Sequence, residues 1–287
     1  MESLDIRSFT KGDIDFAHEM TEIEKWNNTR KDIERMFKLN PSGCFVAEVK
    51  GKRIGHVFSV RYGELGWIGF LIVRAEYRAK GVGTLLMRKT MDHLLSCGVE
   101  TIKLEAVPKI ASLYRKLGFV DEYDSLRFLG KTRKLTSADS SNVKSLQRSM
   151  IREVGKFDAE YFGADRSEVL MRLYSDYPKL CYVSCTESEI VGYIMCRRAE
   201  SGYRAGPWVC APKDPQTPRE LLAKCVENLG QNAELYIGVP DTNKVAVEIM
   251  QKFGFEQYSK SIRMRFGKKL ETDDVNGVYA IGGPEKG

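Results

Sequence analysis

Residues 70–86 read Phe-Leu-Ile-Val-Arg-Ala-Glu-Tyr-Arg-Ala-Lys-Gly-Val-Gly-Thr-Leu-Leu and form the densest set of ligand-gripping groups in the chain. They open as an apolar run rich in β-branched and aromatic residues, the pattern of a buried strand. A basic loop bearing Gly81 and Gly83 follows. A helix is then predicted over 84–96, with Leu85, Leu86, Met91, Leu94 and Leu95 on one broad face. A strand–loop–helix junction of this kind aims several backbone N–H groups and the positive end of a helix dipole at one point, which favours a phosphate. Gly81 and Gly83 let the backbone approach a ligand closely, and Arg78 and Lys80 add positive charge. The loop is not a P-loop, because no Gly-Lys-Ser/Thr ending is present, and it is not a dinucleotide fingerprint, because a third glycine is missing. For the glycines alone, a tight turn without a ligand is the competing reading.

The elements that must position this loop can be read on either side of it. Residues 4–9 alternate like a short strand, and Thr10 or Asp13 caps a helix carrying Phe16, Met20 and Ile23. After Trp26-Asn27-Asn28-Thr29 a second helix runs over 30–39 and stops at Asn40-Pro41-Ser42-Gly43. Residues 44–49 and 53–62 read as a hairpin around Lys50-Gly51-Lys52, and 67–73 as the strand entering the loop. Beyond the loop helix come a strand at 101–107, a short helix at 111–117 closed by Gly118, and a strand at 121–130.

Residues 131–142 are polar, and a helix is predicted from Asp139 to Met150. The order then repeats: a hairpin over 180–197, a strand around Gly206-Pro207-Trp208-Val209, a helix over 219–230, a strand over 233–239, and an Asn243-to-Phe255 segment echoing 110–119. We read this as an internal duplication at low similarity. The duplicate replaces the glycine loop by Ala211-Pro212-Lys213-Asp214-Pro215-Gln216-Thr217-Pro218, whose prolines remove N–H donors, so it is expected not to bind the same ligand.

The 287 residues suffice for two domains, and 43% hydrophobic residues suffice for packed cores. The net charge of +6 suits a polyanionic small molecule. Scattered basic residues argue against nucleic acid as a partner. Seven cysteines without a Cys-x-x-Cys pair, and only three histidines, argue against a disulfide framework or a metal site. Cys181, Cys185, Cys196 and Cys210 are expected to be small core residues. No apolar run approaches bilayer length and no signal-peptide pattern opens the chain, so a cytoplasmic protein without a membrane partner is expected.

The Arg78-x-x-Gly81-x-Gly83 pattern directly after Ile72-Val73 resembles the pyrophosphate loop of the GNAT superfamily of acetyl-CoA-dependent N-acetyltransferases. The resemblance extends to Trp26-Asn27, residues 60–62, 68–73 and 113–119, and Arg127. With Gly206-Pro207 it reaches a second half like the YitH/HolE-type C-terminal domain. It implies an α+β chain of tandem GNAT folds, each a mixed, mostly antiparallel central sheet flanked by helices, with a splayed parallel strand pair in the N-terminal half. It also implies a catalytic domain at 1–134 and a degenerate GNAT-like domain at 135–287 that completes an acceptor pocket. Acetyl-CoA is the implied acyl donor, held by the strand edge at Leu71, Ile72 and Val73 and by Arg78, Ala79, Lys80, Gly81, Val82, Gly83 and Thr84.

The same resemblance puts the Tyr114 phenol at the coenzyme sulfur, where it can protonate the leaving thiolate; an interior aromatic is the plain alternative. The sequence has Val107-Pro108-Lys109 where the family often has Asn. An alkyl amine is about one part in a thousand neutral at pH 7, so a base should help. Glu105 is the favoured candidate, with Glu22, Glu24, His56 and Glu64 behind it. Trp26, Asn27, Tyr62 and Trp67 are candidate acceptor-pocket residues, with core packing an equal reading for Tyr62 and Trp67. The function implied is transfer of an acetyl group to a small-molecule amine by direct attack in a ternary complex. Transfer to a protein lysine or N-terminus, and a non-catalytic acetyl-CoA-binding module, are the alternatives. No metal is expected.

Overall fold

The structure is a computed structural model that describes residues 4–132, 142–187, 189–212, 215–270 and 273–287. The expected boundary at 134/135 lies outside the described residues.

The first half runs β1 (Leu4–Ser8), α1 (Ile14–Ile23), α2 (Arg30–Leu39), β2 (Phe45–Val49), β3 (Lys52–Tyr62), β4 (Leu65–Val73), α3 (Val82–Ser96), β5 (Thr101–Ala106), α4 (Ala111–Lys116) and β6 (Val120–Lys131). The second runs β7 (Val143–Ser145), α5 (Ile151–Phe162), α6 (Ser167–Asp176), β8 (Cys181–Cys185), β9 (Ile190–Arg198), β10 (Tyr203–Cys210), α7 (Thr217–Leu229), β11 (Glu234–Pro240), α8 (Lys244–Lys252), β12 (Glu256–Gly267) and β13 (Val278–Ala280). The expected helix at 139–150 is corrected: 139–141 lie outside the described residues, and 143–145 pair with β8 as an edge strand before a short 3-10 turn at Arg148–Met150. The apolar spacing of Val143, Leu146 and Met150 imitates a helix face. Here Leu146 instead enters the core beside the strand, and α5 begins at Ile151.

All the strands join one sheet in the order β1-β2-β3-β4-β5-β12-β6-β11-β10-β9-β8-β7, with β13 against β10. Each half contributes one parallel pair, β4–β5 and β10–β11, among otherwise antiparallel neighbours. The centre is an exchange. Strand β12 lies between β5 and β6, and β6 lies between β12 and β11, so each half supplies a strand to the other's sheet.

The cores record the same exchange. Helices α3 and α4 cover a cluster of first-half residues that includes Met264 of β12. The α7/α8 side encloses second-half residues together with Phe128 of β6. On the opposite face, α1 and α2 share a single core with α5 and α6, uniting Phe16, Met20, Phe58 and Phe70 with Val154, Phe162 and Leu173. Residues 282–287 thread between the halves. Trp67 Nε1 donates to the Pro284 carbonyl at 2.9 Å and the Tyr62 hydroxyl to the Lys286 carbonyl at 2.8 Å. A Cβ on Gly69 would stand 2.5 Å from the Glu285 Cα, so β4 needs glycine where this segment crosses it. Among the described residues no helix is long and apolar enough to cross a membrane, no cluster of metal ligands occurs, and the cysteines are free.

Candidate active site

A bulge prepares the site. Gly55 and His56 on β3 face Val73 and Ile72, yet Phe58 faces Gly69, so β4 carries one extra residue and Phe70 adopts φ +50°. The β4–β5 ladder stops at Ile68–Leu104, although β4 continues to Val73 and β5 to Ala106. The facing edges beyond that point are therefore splayed and unpaired with each other. A Cβ on Gly55 would sit 2.8 Å from the Ile72 carbonyl, so glycine permits β3 to stay close beside the bulge.

From Val73 the chain turns through Ala75–Tyr77, and Ala79 and Gly81 both take left-handed backbone, at φ +59° and +84°. Gly81 caps α3, which starts at Val82 and has no side-chain cap, so its first-turn N–H groups face outward. No atom lies within 4 Å of where a Gly81 Cβ would be. This free helix end opens on a cleft of about 920 Å³ lined by Leu71, Ile72, Val73, Arg78, Ala79, Gly81, Gly83, Thr84, Lys109 and Lys116. Unpaired donors, a strand edge and cationic side chains in one cleft fit a diphosphate attached to an extended arm. Two predicted residues depart from this lining. Lys80 lies over the Tyr77 ring, 5.4 Å from its centroid, and Val82 is buried in the α3 core. Arg78 is itself held in place: its Nε donates to the Val73 carbonyl at 2.8 Å and its guanidinium pairs with Glu24.

A second cavity of about 430 Å³ adjoins the cleft, and Glu24, Trp26, Leu71, Val107 and Ile110 line both. Tyr114 lines the inner cavity from α4, with Phe119 edge-on to its ring at 6.1 Å. Its hydroxyl makes no hydrogen bond to another described residue, and burial pushes its pKa up, so the phenol keeps its proton as a donor.

Glu105 lines the cavity but is heavily engaged. It accepts hydrogen bonds from Arg263 Nε at 2.7 Å, Ser125 Oγ at 2.9 Å, Arg127 Nη2 at 3.3 Å and the Ser261 hydroxyl. Burial alone would raise its pKa, but Arg263 and Arg127 outweigh burial and the net shift is downward. A carboxylate saturated by donors and held below its usual range is a weak proton acceptor.

Trp26 lines both cavities and stacks over Phe70 at 6.4 Å. Asn27 lines the inner one, but its amide is tied to Ser201 of the second half through bonds of 3.0 and 2.8 Å. The pocket reading is corrected for Tyr62 and Trp67: both are buried in the shared core, and their polar atoms hold residues 282–287. Among the other candidate bases, Glu22 and Glu64 are exposed away from the cavities. His56 is fully buried, edge-on to Phe16 and Phe58, and outside both cavities. Glu24 remains, lining both.

The sequence reading missed the residues that the second half brings to the inner cavity: Arg204, Tyr236, Gly238, Tyr258 and Ser261, joined by Arg127 of β6 and by Gly283, Pro284 and Glu285. Arg127 and Arg204, arginines inside strand patterns, were the available signal. Their convergence depends on the strand exchange, which local patterning does not encode.

Comparison with known proteins accords with this geometry. The Acetyltransferase (GNAT) family model matches residues 8–119, and a second Acetyltransferase (GNAT) domain model matches residues 154–280. Holothin acyltransferase of Pseudoalteromonas sp. (strain SANK 73390) is 27% identical over 272 residues, covering 94% of this chain and 90% of that protein. A crystal structure from Pyrococcus horikoshii, described as a candidate acetyltransferase, superposes with a TM-score of 0.84 at 27% identity over 100% of this chain and 97% of its own. A tandem GNAT protein from the clavulanic acid biosynthesis pathway shares the fold, with a TM-score of 0.64 at 11% identity over 92% of this chain and 98% of its own.

Proposed function

Because the chain belongs to the GNAT superfamily of acetyltransferases and carries two such domains in tandem, we propose that its first half binds acetyl-CoA and that a small-molecule amine is acetylated in the cavity between the halves. The observation that carries this reading is the junction of the two cavities at Trp26, Leu71, Val107 and Ile110. One cavity offers the free N-terminus of α3; the other is walled by the second half. Walls on that side suit a small acceptor better than a protein chain.

The residues present fit the coenzyme. Gly81, Gly83 and Thr84 at the helix end, with Arg78, would hold its diphosphate, and the unpaired edge of residues 71–73 would hold its arm. When bound, acetyl-CoA supplies an activated acetyl group on sulfur. In the transfer a C–N bond forms, the C–S bond breaks, the nitrogen loses a proton and the sulfur gains one. Backbone N–H groups of the splayed edge near Leu71 to Val73 meet the developing charge on the carbonyl oxygen. The Tyr114 phenol gives its proton to the leaving sulfur, and solvent restores it. We assign receipt of the amine proton to Glu24, directly or through water, and to Glu105 the task of holding Arg127 and Arg263. We assign the second half walls and no coenzyme: α7 carries Pro218 in its first turn, where a phosphate would need N–H donors.

Thiol release from acetyl-CoA, followed over a panel of amines with the full-length chain, tests the reading. Release dependent on a small amine is the expected result. Release only with peptide lysines, or with no amine in the panel, overturns it.

A further inference from the structure

The inner cavity holds more positive charge than its ion pairs consume. Four cations line it, Lys25, Arg127, Arg204 and Lys260, against three carboxylates, Glu24, Glu105 and Glu285. The carboxylates are engaged. Glu285 holds Lys286 and lies 3.6 Å from Arg197. Glu105 is 2.7 Å from Arg263 and 3.3 Å from Arg127. Arg204 makes no ion pair among the described residues and meets the carboxylates of Glu285 and Asp32 only at longer range; its Nη2 donates to the Trp26 carbonyl at 3.0 Å. The other charged lining groups do not serve it: Glu24 pairs with Arg78 and Lys260 with Asp124, and Lys25 is an exposed cation.

Two guanidiniums share one face of the sheet at this cavity. Arg204 on β10 is the register partner of Tyr236 on β11, and Arg127 on β6 is the partner of Gly238, two residues further along β11. Gly238 makes the room: a Cβ there would stand 2.2 Å from Arg127 Nη1. Ser261 accepts from Arg127 Nη2 at 2.6 Å, which fixes the group. Burial lowers the Arg127 pKa, Glu105 opposes that, and Arg204 lowers it further, so the two cations feel each other. Glu105 is shared with Arg263 and Glu285 reaches Arg204 only at longer range, so a further anion between Arg127 and Arg204, beside the wall of Trp26, Phe70 and Tyr258, would lower the cost of gathering these like charges.

We infer that the acceptor bears a carboxylate as well as its amine, as an amino acid does, and that Arg204 and Arg127 receive that carboxylate and so turn the amine toward the coenzyme cleft. This rests on the acyl-transfer reading for the amine end alone. The carboxylate end is a separate claim about binding.

The test uses matched pairs that differ only in this group: amino acids with apolar side chains, their carboxamides and their aminophosphonate analogues, with full-length protein and acetyl-CoA. For the best acceptor, kcat/KM for the acid is expected to exceed that for the amide by roughly 10- to 100-fold, the range for a lost charged hydrogen bond. The ratio should fall toward one in Arg204→Gln and lie between in Arg204→Lys. Calorimetry of the same pairs in the presence of coenzyme A reads binding without turnover. Acid binding that disappears in Arg204→Gln, with no thiol release from any amine, would leave this inference standing and remove the acyl-transfer reading. Acetylation without preference for the acid would do the reverse. An acid-to-amide ratio that survives in Arg204→Gln, a phosphonate preferred to the acid, or no acid binding at all overturns the inference. Melting temperatures of both variants establish that they are folded.

Discussion

Arg263 of β12 donates its Nε to Glu105 of β5 at 2.7 Å, so a residue from the last third of the chain neutralises a carboxylate lining the inner cavity. The same guanidinium lies over the Trp67 ring, 4.4 Å from its centroid. Glu105 is therefore a joint of the molecule. Glu105→Gln leaves the buried Arg263 and the half-buried Arg127 without their counter-charge and is expected to destabilise the protein by about 3 kcal/mol. Denaturant unfolding with an activity assay on the folded fraction checks this. A variant of unchanged stability with abolished turnover would restore Glu105 as the base. The sign with pH follows: its folded pKa is depressed, so its contribution is present above the ordinary carboxylate range and is lost as pH falls through the lowered value.

Gly81→Val should weaken coenzyme A binding by at least about tenfold while the fold persists. Valine at φ +84° costs about 1–2 kcal/mol, and its side chain fills the open space in front of the α3 N–H groups. Isothermal titration with coenzyme A, beside a thermal melt, reads the two effects separately. Undiminished affinity would move the coenzyme elsewhere.

Tyr114→Phe removes the proton donor and keeps the ring that Phe119 packs against. Turnover is expected to fall about 100-fold with little change in the KM for acetyl-CoA. Glu24→Gln should lower kcat most below the acceptor's pKa, where the amine arrives protonated, and least above it. A pH profile of kcat for both variants makes the comparison. A phenylalanine variant of normal turnover rejects the donor role.

His56 makes stability fall on the acid side. Neither ring nitrogen has a hydrogen bond of good geometry; burial lowers the pKa from 6.5 to about 3, and the Phe70 backbone opposes this only in part. The unfolded chain binds a proton below 6.5 that the folded protein refuses until about 3. Stability therefore drops through that window by up to about 1.4 kcal/mol per pH unit and is unaffected by this group above it. His56→Leu should flatten this limb when urea midpoints are compared at pH 4.5 and 7. Parallel profiles for the two proteins would mean that His56 is charged in the folded state.

The local features of the first half were legible in the sequence because each depends on neighbours in the chain. Alternation gave the β2–β3 hairpin, and the glycines gave the loop before α3, with only the helix start moving from Thr84 to Val82. Asn27 was legible as a polar residue at the cavity, but not as the partner of Ser201. Tyr62 and Trp67 looked like pocket residues because an aromatic residue with a polar atom suits either a ligand or a buried carbonyl, and only the path of residues 282–287 decides which. The pairing of Arg263 with Glu105 and of Arg127 with Gly238 crosses more than a hundred residues, and no local pattern announces it.

The interleaved strands set an order for biosynthesis. The inner edge of β5 stays bare until residues 256–267 have left the ribosome, because no earlier segment occupies that lane of the sheet. The turn from Arg78 to Gly83 can form early, whereas the wall opposite it arrives almost last. A nascent chain stalled before residue 256 would have the turn and α3 with no finished chamber behind them, and its exposed strand edge would be open to capture by a chaperone or by another unfinished copy.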